Sequence, residues 1–102
     1  MLSKNSPELF NKNLNFLFEF FNSDKGETFS DQYTQPFKKT NKKIQAHGYA
    51  KFYEKIFLEK KSQNCNILEL GSFYGNAAAA LYYYFKNSKI YSADIFPDLF
   101  RY

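Results

Sequence analysis

Residues 67–94 contain the pattern that most constrains the fold: a short apolar run, a glycine turn, an alanine-rich stretch and a second apolar run that ends in an acid. This order predicts a strand, a turn, a helix and a parallel strand, with the first strand buried on both faces. Gly71 and Gly75 permit positive φ in the turn, and they lack the Cβ atoms that would hold a ligand away from the backbone. The helix after the turn directs its free N–H groups toward the same place. Such a turn is typical of a nucleotide-binding site.

The spacing of the turn distinguishes among classes of nucleotide. A dinucleotide fingerprint requires a central glycine, and here Phe73 stands at that position and obstructs a pyrophosphate. No Gly-Lys-Ser/Thr follows, which excludes a Walker A loop. Glu69 repels phosphate and attracts an ammonium group, and Asp94 can accept hydrogen bonds from both ribose hydroxyls. These features favour S-adenosylmethionine, which carries an ammonium group and a ribose but no phosphate, over NAD.

Three motifs in order carry a more specific resemblance. They are Ser-Asp-Lys-Gly at residues 23–26, His-x-Tyr-x-x-x-Tyr starting at His47, and Leu-Glu-Leu-Gly at residues 68–71. Together they resemble class I S-adenosylmethionine-dependent methyltransferases, in the branch of the macrocin-type sugar O-methyltransferases and the cephalosporin hydroxylase-like proteins. The resemblance covers roughly residues 23–97. Phe73 and Tyr74 depart from it, because members often have small residues there.

The resemblance implies an enzyme that uses S-adenosylmethionine as cofactor and methylates an oxygen, with a saccharide or another small molecule as the acceptor. The predicted cofactor-binding residues are Asp24, Lys25, Glu69, Gly71, Ser72, Phe73, Gly75 and Asp94. Within this set, the backbone N–H groups of Ser72 and Phe73 are expected to bind the carboxylate of the methionine moiety. No catalytic base can be assigned. No metal ligand can be assigned either, because the magnesium ligands of members lie later in the chain than the second strand.

Each candidate also has a plain structural interpretation. The two glycines could form an ordinary strand-to-helix turn, Glu69 could form a salt bridge, and Asp94 could cap its strand; cofactor binding is the favoured hypothesis for all of them. Asp24 and Lys25 belong either to a polar turn or to a loop over the cofactor, and these alternatives stay open. His47 is expected to be a cap or a satisfied polar group, because no carboxylate stands at triad-like spacing; the alternative is a general base.

Composition narrows the partners and the compartment. The net charge of +4 comes with several lysine pairs, which we interpret as solvated surface, so no specific nucleic-acid partner is predicted. The single cysteine, Cys65, excludes an internal disulfide and is typical of a reducing compartment. No signal peptide is visible, and no apolar run approaches the roughly 20 residues that cross a bilayer. We therefore expect a cytoplasmic protein with no membrane partner.

The pattern of apolar residues predicts the remaining elements. In chain order these are a helix at 7–21, an irregular segment at 27–41, a helix at 42–60, a strand from residue 67, a helix at 76–85 and a strand at 89–94.

The predicted fold class is α/β: the N-terminal portion of a Rossmann-like methyltransferase, with a parallel β–α–β unit preceded by two helices. Residues 1–41 are assigned to a helical extension and loop, and residues 42–102 to the start of the cofactor-binding domain. The sheet is expected to be incomplete, because the resemblance implies about seven strands and the chain supplies two. We therefore expect an inactive N-terminal part of a longer enzyme. The alternative is a non-catalytic module that binds or oligomerises through an exposed sheet edge.

Overall fold

The computed structural model describes residues 7–30 and 43–101. Within these ranges the fold is mixed α/β, with three α-helices and two separate two-stranded sheets. The elements in chain order are a 3-10 helix Pro7–Asn11, α1 Leu14–Phe20, β1 Thr28–Ser30, β2 Lys43–Gln45, α2 Ala50–Phe57, β3 Asn66–Leu70, α3 Asn76–Tyr84, β4 Lys89–Ala93 and a 3-10 helix Pro97–Leu99. None of the helices described is long and apolar enough to cross a membrane.

The strands β3 and β4 pair in parallel and are joined by α3, which confirms the predicted β–α–β unit. Ile67 lies opposite Ile90, and Leu70 lies opposite Ala93. Gly71 and Gly75 have φ of +77° and +82° in the connection from β3 to α3. Residues with a Cβ rarely adopt such φ values, so both positions require glycine for this tight connection.

The core surrounds α3. Its alanines Ala77, Ala79 and Ala80 are buried, as are Leu14 and Leu17 of α1. Small side chains at these positions let α1 approach α3 closely, and larger aromatic rings fill the space at its C-terminal end. The core contains residues from both of the predicted segments, 1–41 and 42–102.

The helix predicted over residues 7–21 is interrupted. Only a 3-10 helix forms at Pro7–Asn11, and α1 begins anew at Leu14. The reason is Asn13, whose extended backbone leaves the helix and whose side-chain oxygen accepts a hydrogen bond from the Phe16 N–H at 2.8 Å. Asparagine at such a position stabilises a helix start, and this cap outweighs the continuous apolar spacing.

The helix predicted over residues 42–60 is shorter at both ends than predicted, and its residue 42 lies outside the described ranges. Only Ala50–Phe57 is helical, and Lys43–Gln45 forms β2, antiparallel to β1 with Ile44 opposite Phe29. Gly48, with φ of +71°, lies outside helical geometry, so the helix cannot extend backwards through it. The segment predicted to be irregular likewise contains strand β1, and its residues 31–41 lie outside the described ranges.

One face of the parallel pair is uncovered by the described residues, whereas the sequence predicted burial of β3 on both faces. The side chains of Leu68 and Leu70 are 61% and 76% exposed, and Tyr91 beside them is 51% exposed. Successive side chains of a strand point to opposite faces. Ile67 and Glu69 therefore face α3, and Leu68 and Leu70 face away from it.

The contrast between Leu17 and Leu70 gives a test of the fold. We expect Leu17→Ala to lower the free energy of unfolding by about 2–5 kcal/mol, because it opens a cavity in a fully buried site. Leu70→Ala removes the same atoms from an exposed site and is expected to change it by less than about 0.5 kcal/mol. Urea denaturation followed by circular dichroism measures both. Equal losses would show that the outer face of β3 is covered in solution.

Candidate functional site

A cavity of about 330 Å³ lies where the carboxyl end of β3 meets the amino end of α3 and the loop that follows α1. Its volume is in the range of small-molecule sites. The residues that line it are Ser23, Asp24, Lys25, Glu69, Gly71, Ser72, Phe73, Asn76 and Ala77. Six of the eight predicted cofactor-binding residues are in this set, and Gly75 and Asp94 are not.

The loop containing Asp24 and Lys25 is held in place by backbone pairing with the segment before α2. The N–H groups of His47 and Tyr49 donate to the carbonyls of Asp24 and Lys25 at 2.9 and 2.8 Å. Gly26 is buried, and a Cβ there would lie 3.0 Å from Asn15 Oδ1. The loop is thus a packed turn that also forms one wall of the cavity.

Glu69 points from β3 toward α3 and is half-buried in the cavity wall. Its Oε1 atom is buried and has no hydrogen-bond donor among the described residues. Burial raises the pKa of the Glu69 carboxyl above its ordinary value, while the Ser72 side chain and the charge of Lys25 act in the opposite direction. A buried acceptor without a donor is costly. This atom would therefore be stabilised by a ligand that donates a hydrogen bond.

Asp24 carries the other carboxylate of the cavity, and it contacts two basic groups. Lys25 Nζ lies 2.6 Å from its Oδ1 atom, and His47 Nε2 lies 3.3 Å from its Oδ2 atom. The sequence showed no carboxylate for His47 at triad-like spacing, and the structure places the Asp24 carboxylate beside it. Spacing along the chain could not reveal this contact, because it joins residues 23 positions apart that backbone hydrogen bonds beyond the β1–β2 ladder bring together. The His47 ring also stacks on Tyr49, with centroids 5.1 Å apart.

Asp94 follows β4 and binds the backbone of the glycine turn. Its Oδ2 accepts the Phe73 N–H at 2.8 Å, and its Oδ1 accepts the Phe96 N–H at 2.9 Å. The hydrogen bonds from Phe96 and Phe73 lower the pKa of the Asp94 carboxyl, so that it stays ionised at neutral pH. Asp94 lines a second, open hollow of about 620 Å³, which shares Gly71 with the first cavity.

The N–H groups of Ser72 and Phe73, predicted from the sequence to bind a carboxylate of the cofactor, both have acceptors within the protein. Ser72 N donates to the Ala93 carbonyl at 3.3 Å, and Phe73 N donates to Asp94. Phe73 has φ of +51°, unusual for a residue with a side chain. The sequence contains no signal for this geometry. The first N–H groups of α3, which have no acceptor within the helix, also lie at this end of the sheet.

Gly75 forms part of the turn that precedes α3. It is the residue before α3, in the left-handed conformation, and its N–H donates to the Ser72 carbonyl at 2.8 Å. Asn76, the next residue, is buried and donates from its side chain to the Phe21 carbonyl at 2.6 Å. This bond ties the end of α1 to the start of α3, and sequence reasoning missed it. Within residues 7–30 and 43–101, no three His, Cys, Asp or Glu side chains cluster as a metal site would require.

The pKa of Glu69 predicts how its removal affects stability. Because the folded-state pKa lies above the ordinary 4.5, the folded protein holds this proton more tightly than the unfolded chain does. Ionisation then disfavours the fold increasingly as the pH rises above 4.5. We expect Glu69→Gln to raise the free energy of unfolding at pH 7, with the gain disappearing below pH 4.5, in urea titrations over this pH range.

Asp94→Asn is the control with the opposite sign. Its pKa is lowered from 3.8, so the ionised carboxylate contributes stability above that pH and loses it as the pH falls through the folded-state pKa. The Asp94→Asn variant should therefore be less stable than the parent at pH 7 and equal to it in strong acid. A loss of stability in Glu69→Gln at pH 7 would contradict the assigned burial of Glu69.

Comparison of the chain with protein-family models, with curated proteins and with solved structures finds no match.

Proposed function

We propose that this chain binds S-adenosylmethionine across the two adjoining hollows, as the cofactor-binding part of an O-methyltransferase that acts on a saccharide or another small molecule. The observation that carries the proposal is the buried Oε1 atom of Glu69, which has no donor among the described residues; Glu69 lines a cavity that Lys25 also lines. An anion and a cation side by side fit the ammonium and carboxylate groups of an amino acid.

The amino-acid end of the ligand is assigned to the smaller cavity. Its ammonium group would donate to Glu69 Oε1, and its carboxylate would pair with Lys25 Nζ or with the first N–H groups of α3. Asp24 and Glu69 together make the cavity unfavourable for phosphate. This charge pattern supports S-adenosylmethionine over a dinucleotide.

The ribose is assigned to the open hollow beside Asp94. Each oxygen of that carboxylate accepts a backbone N–H, and each keeps a lone pair for a ribose hydroxyl. A Cβ built on Gly71 would meet no atom within 4 Å, so the space between the two hollows is open at this residue. An extended ligand can therefore cross the backbone at Gly71 and contact both acids.

The position of the site agrees with a Rossmann-like assignment, which is also part of the proposal. In open parallel sheets, ligands bind beyond the carboxyl ends of the strands. Both hollows lie at that end of β3 and β4. S-adenosylmethionine supplies a methyl group on a sulfonium, and the residues described here contribute mainly orientation. Since they include no assigned base, we expect binding of the cofactor without turnover.

The second candidate is a non-catalytic module that associates through the parallel pair. The observation in its favour is the exposed apolar face formed by Leu68, Leu70 and Tyr91. Exposed apolar surface of this kind commonly marks an interaction site. Glu69 and Asp94 distinguish the two candidates, because only the methyltransferase function requires these residues.

Titration calorimetry with S-adenosylhomocysteine and NAD tests the proposed function. We expect S-adenosylhomocysteine to bind and NAD to bind at least tenfold more weakly. This difference in affinity corresponds to the free energy of about one charged hydrogen bond. Glu69→Gln and Asp94→Asn should each weaken S-adenosylhomocysteine by about tenfold or more. Glu59→Gln and Asp98→Asn, which alter exposed acids outside both hollows, are the matched controls.

Circular dichroism of each variant establishes that it is folded at the titration temperature. Tighter binding of NAD, or unchanged binding of S-adenosylhomocysteine to the Glu69→Gln variant, would refute the assignment. A chain that binds neither nucleotide but sediments as a dimer, and loses this dimer on Leu70→Ser substitution, would support the second candidate.

A further inference from the structure

We propose that a separate cavity, at the end of β3 opposite the candidate cofactor site, binds a medium-chain alkyl carboxylate. It encloses about 370 Å³ between the end of α2, the start of β3 and the C-terminal half of α3. The residues that line it are Phe57, Lys60, Cys65, Asn66, Ile67, Leu81 and Phe85. None of these residues lines the candidate cofactor site, so the proposal does not depend on that function.

The walls of this cavity suit an alkyl chain. Leu81 and Phe85 are buried members of the core, and Phe57 and Ile67 pack against them. The rings of Phe57 and Phe85 meet edge to face with centroids 5.3 Å apart. These side chains offer apolar surface without strong donors or acceptors. A ligand of the same character gains affinity with each methylene that it buries here.

The rim of the cavity suits an anionic head group. Lys60 is the one charged side chain among the described residues that line it, and it forms no ion pair with any of the carboxylates described. The neighbouring Lys61 is placed differently, with its ammonium 4.7 Å from the centre of the Tyr84 ring. One unpaired lysine beside an apolar cavity matches a single negative charge on an apolar chain, and this argues for a monocarboxylate.

Calorimetry with butanoate, octanoate and 1-octanol tests this proposal. We expect affinity to rise by about fourfold per methylene, so that octanoate, with four more methylenes, binds roughly 250-fold more tightly than butanoate. Saturating octanoate should also slow alkylation of Cys65 by iodoacetamide, because this thiol lies in the cavity wall and is the single thiol of the chain. S-adenosylhomocysteine should leave octanoate binding unchanged.

Two lysine variants separate the head group from the chain. Lys60→Gln should weaken octanoate severalfold, as expected for one exposed ion pair, and leave 1-octanol unchanged. Lys61→Gln, the matched control, should alter neither ligand. Equal affinity for butanoate and octanoate, or no protection of Cys65, would overturn the site. Equal octanoate binding by the parent chain and the Lys60→Gln variant would overturn the assignment of a carboxylate.

Discussion

The packing of α3 between α1 and the parallel pair β3–β4 is the constraint on which the rest of the structure depends. The alanines of α3 allow this close approach, and a larger side chain at Ala79 or Ala80 would separate the layers. The position of α3 in turn sets the turn that precedes it, and with it Gly71 and Asp94. Asn76 joins the same helix to the end of α1. The two walls of the candidate cavity are therefore positioned by one helix.

At Glu69, the requirements of folding stability and of the proposed ligand binding conflict. A carboxylate on the covered face of a sheet is unfavourable for folding, since its ionised form is desolvated and one oxygen has no donor among the described residues. An apolar or neutral residue would suit the packing better. The unfavourable group is explained if a ligand supplies the missing donor, and this reasoning connects the energetics of the fold to the proposed cofactor.

The uncovered face of β3 and β4 distinguishes this molecule from a closed α/β layer. Parallel sheets are ordinarily covered on both faces, and here Leu68, Leu70 and Tyr91 are exposed. The same residues led the sequence analysis to predict a strand buried on both sides. The prediction read the apolar character of the strand correctly, but covering the second face requires further elements, and the described residues provide none.

The sequence by itself determined the β–α–β unit, the two glycine positions and the placement of Glu69 and Asp94 at the carboxyl ends of its two strands. These features depend on local periodicity and on backbone conformations that glycine alone adopts readily, and both can be read from neighbouring residues. The tertiary structure decided the β1–β2 ladder, the contact between His47 and Asp24, and the use of the Phe73 N–H by Asp94. Each of these joins residues between 13 and 23 positions apart. Such contacts form only when the whole chain selects one arrangement, because no local preference specifies the partner.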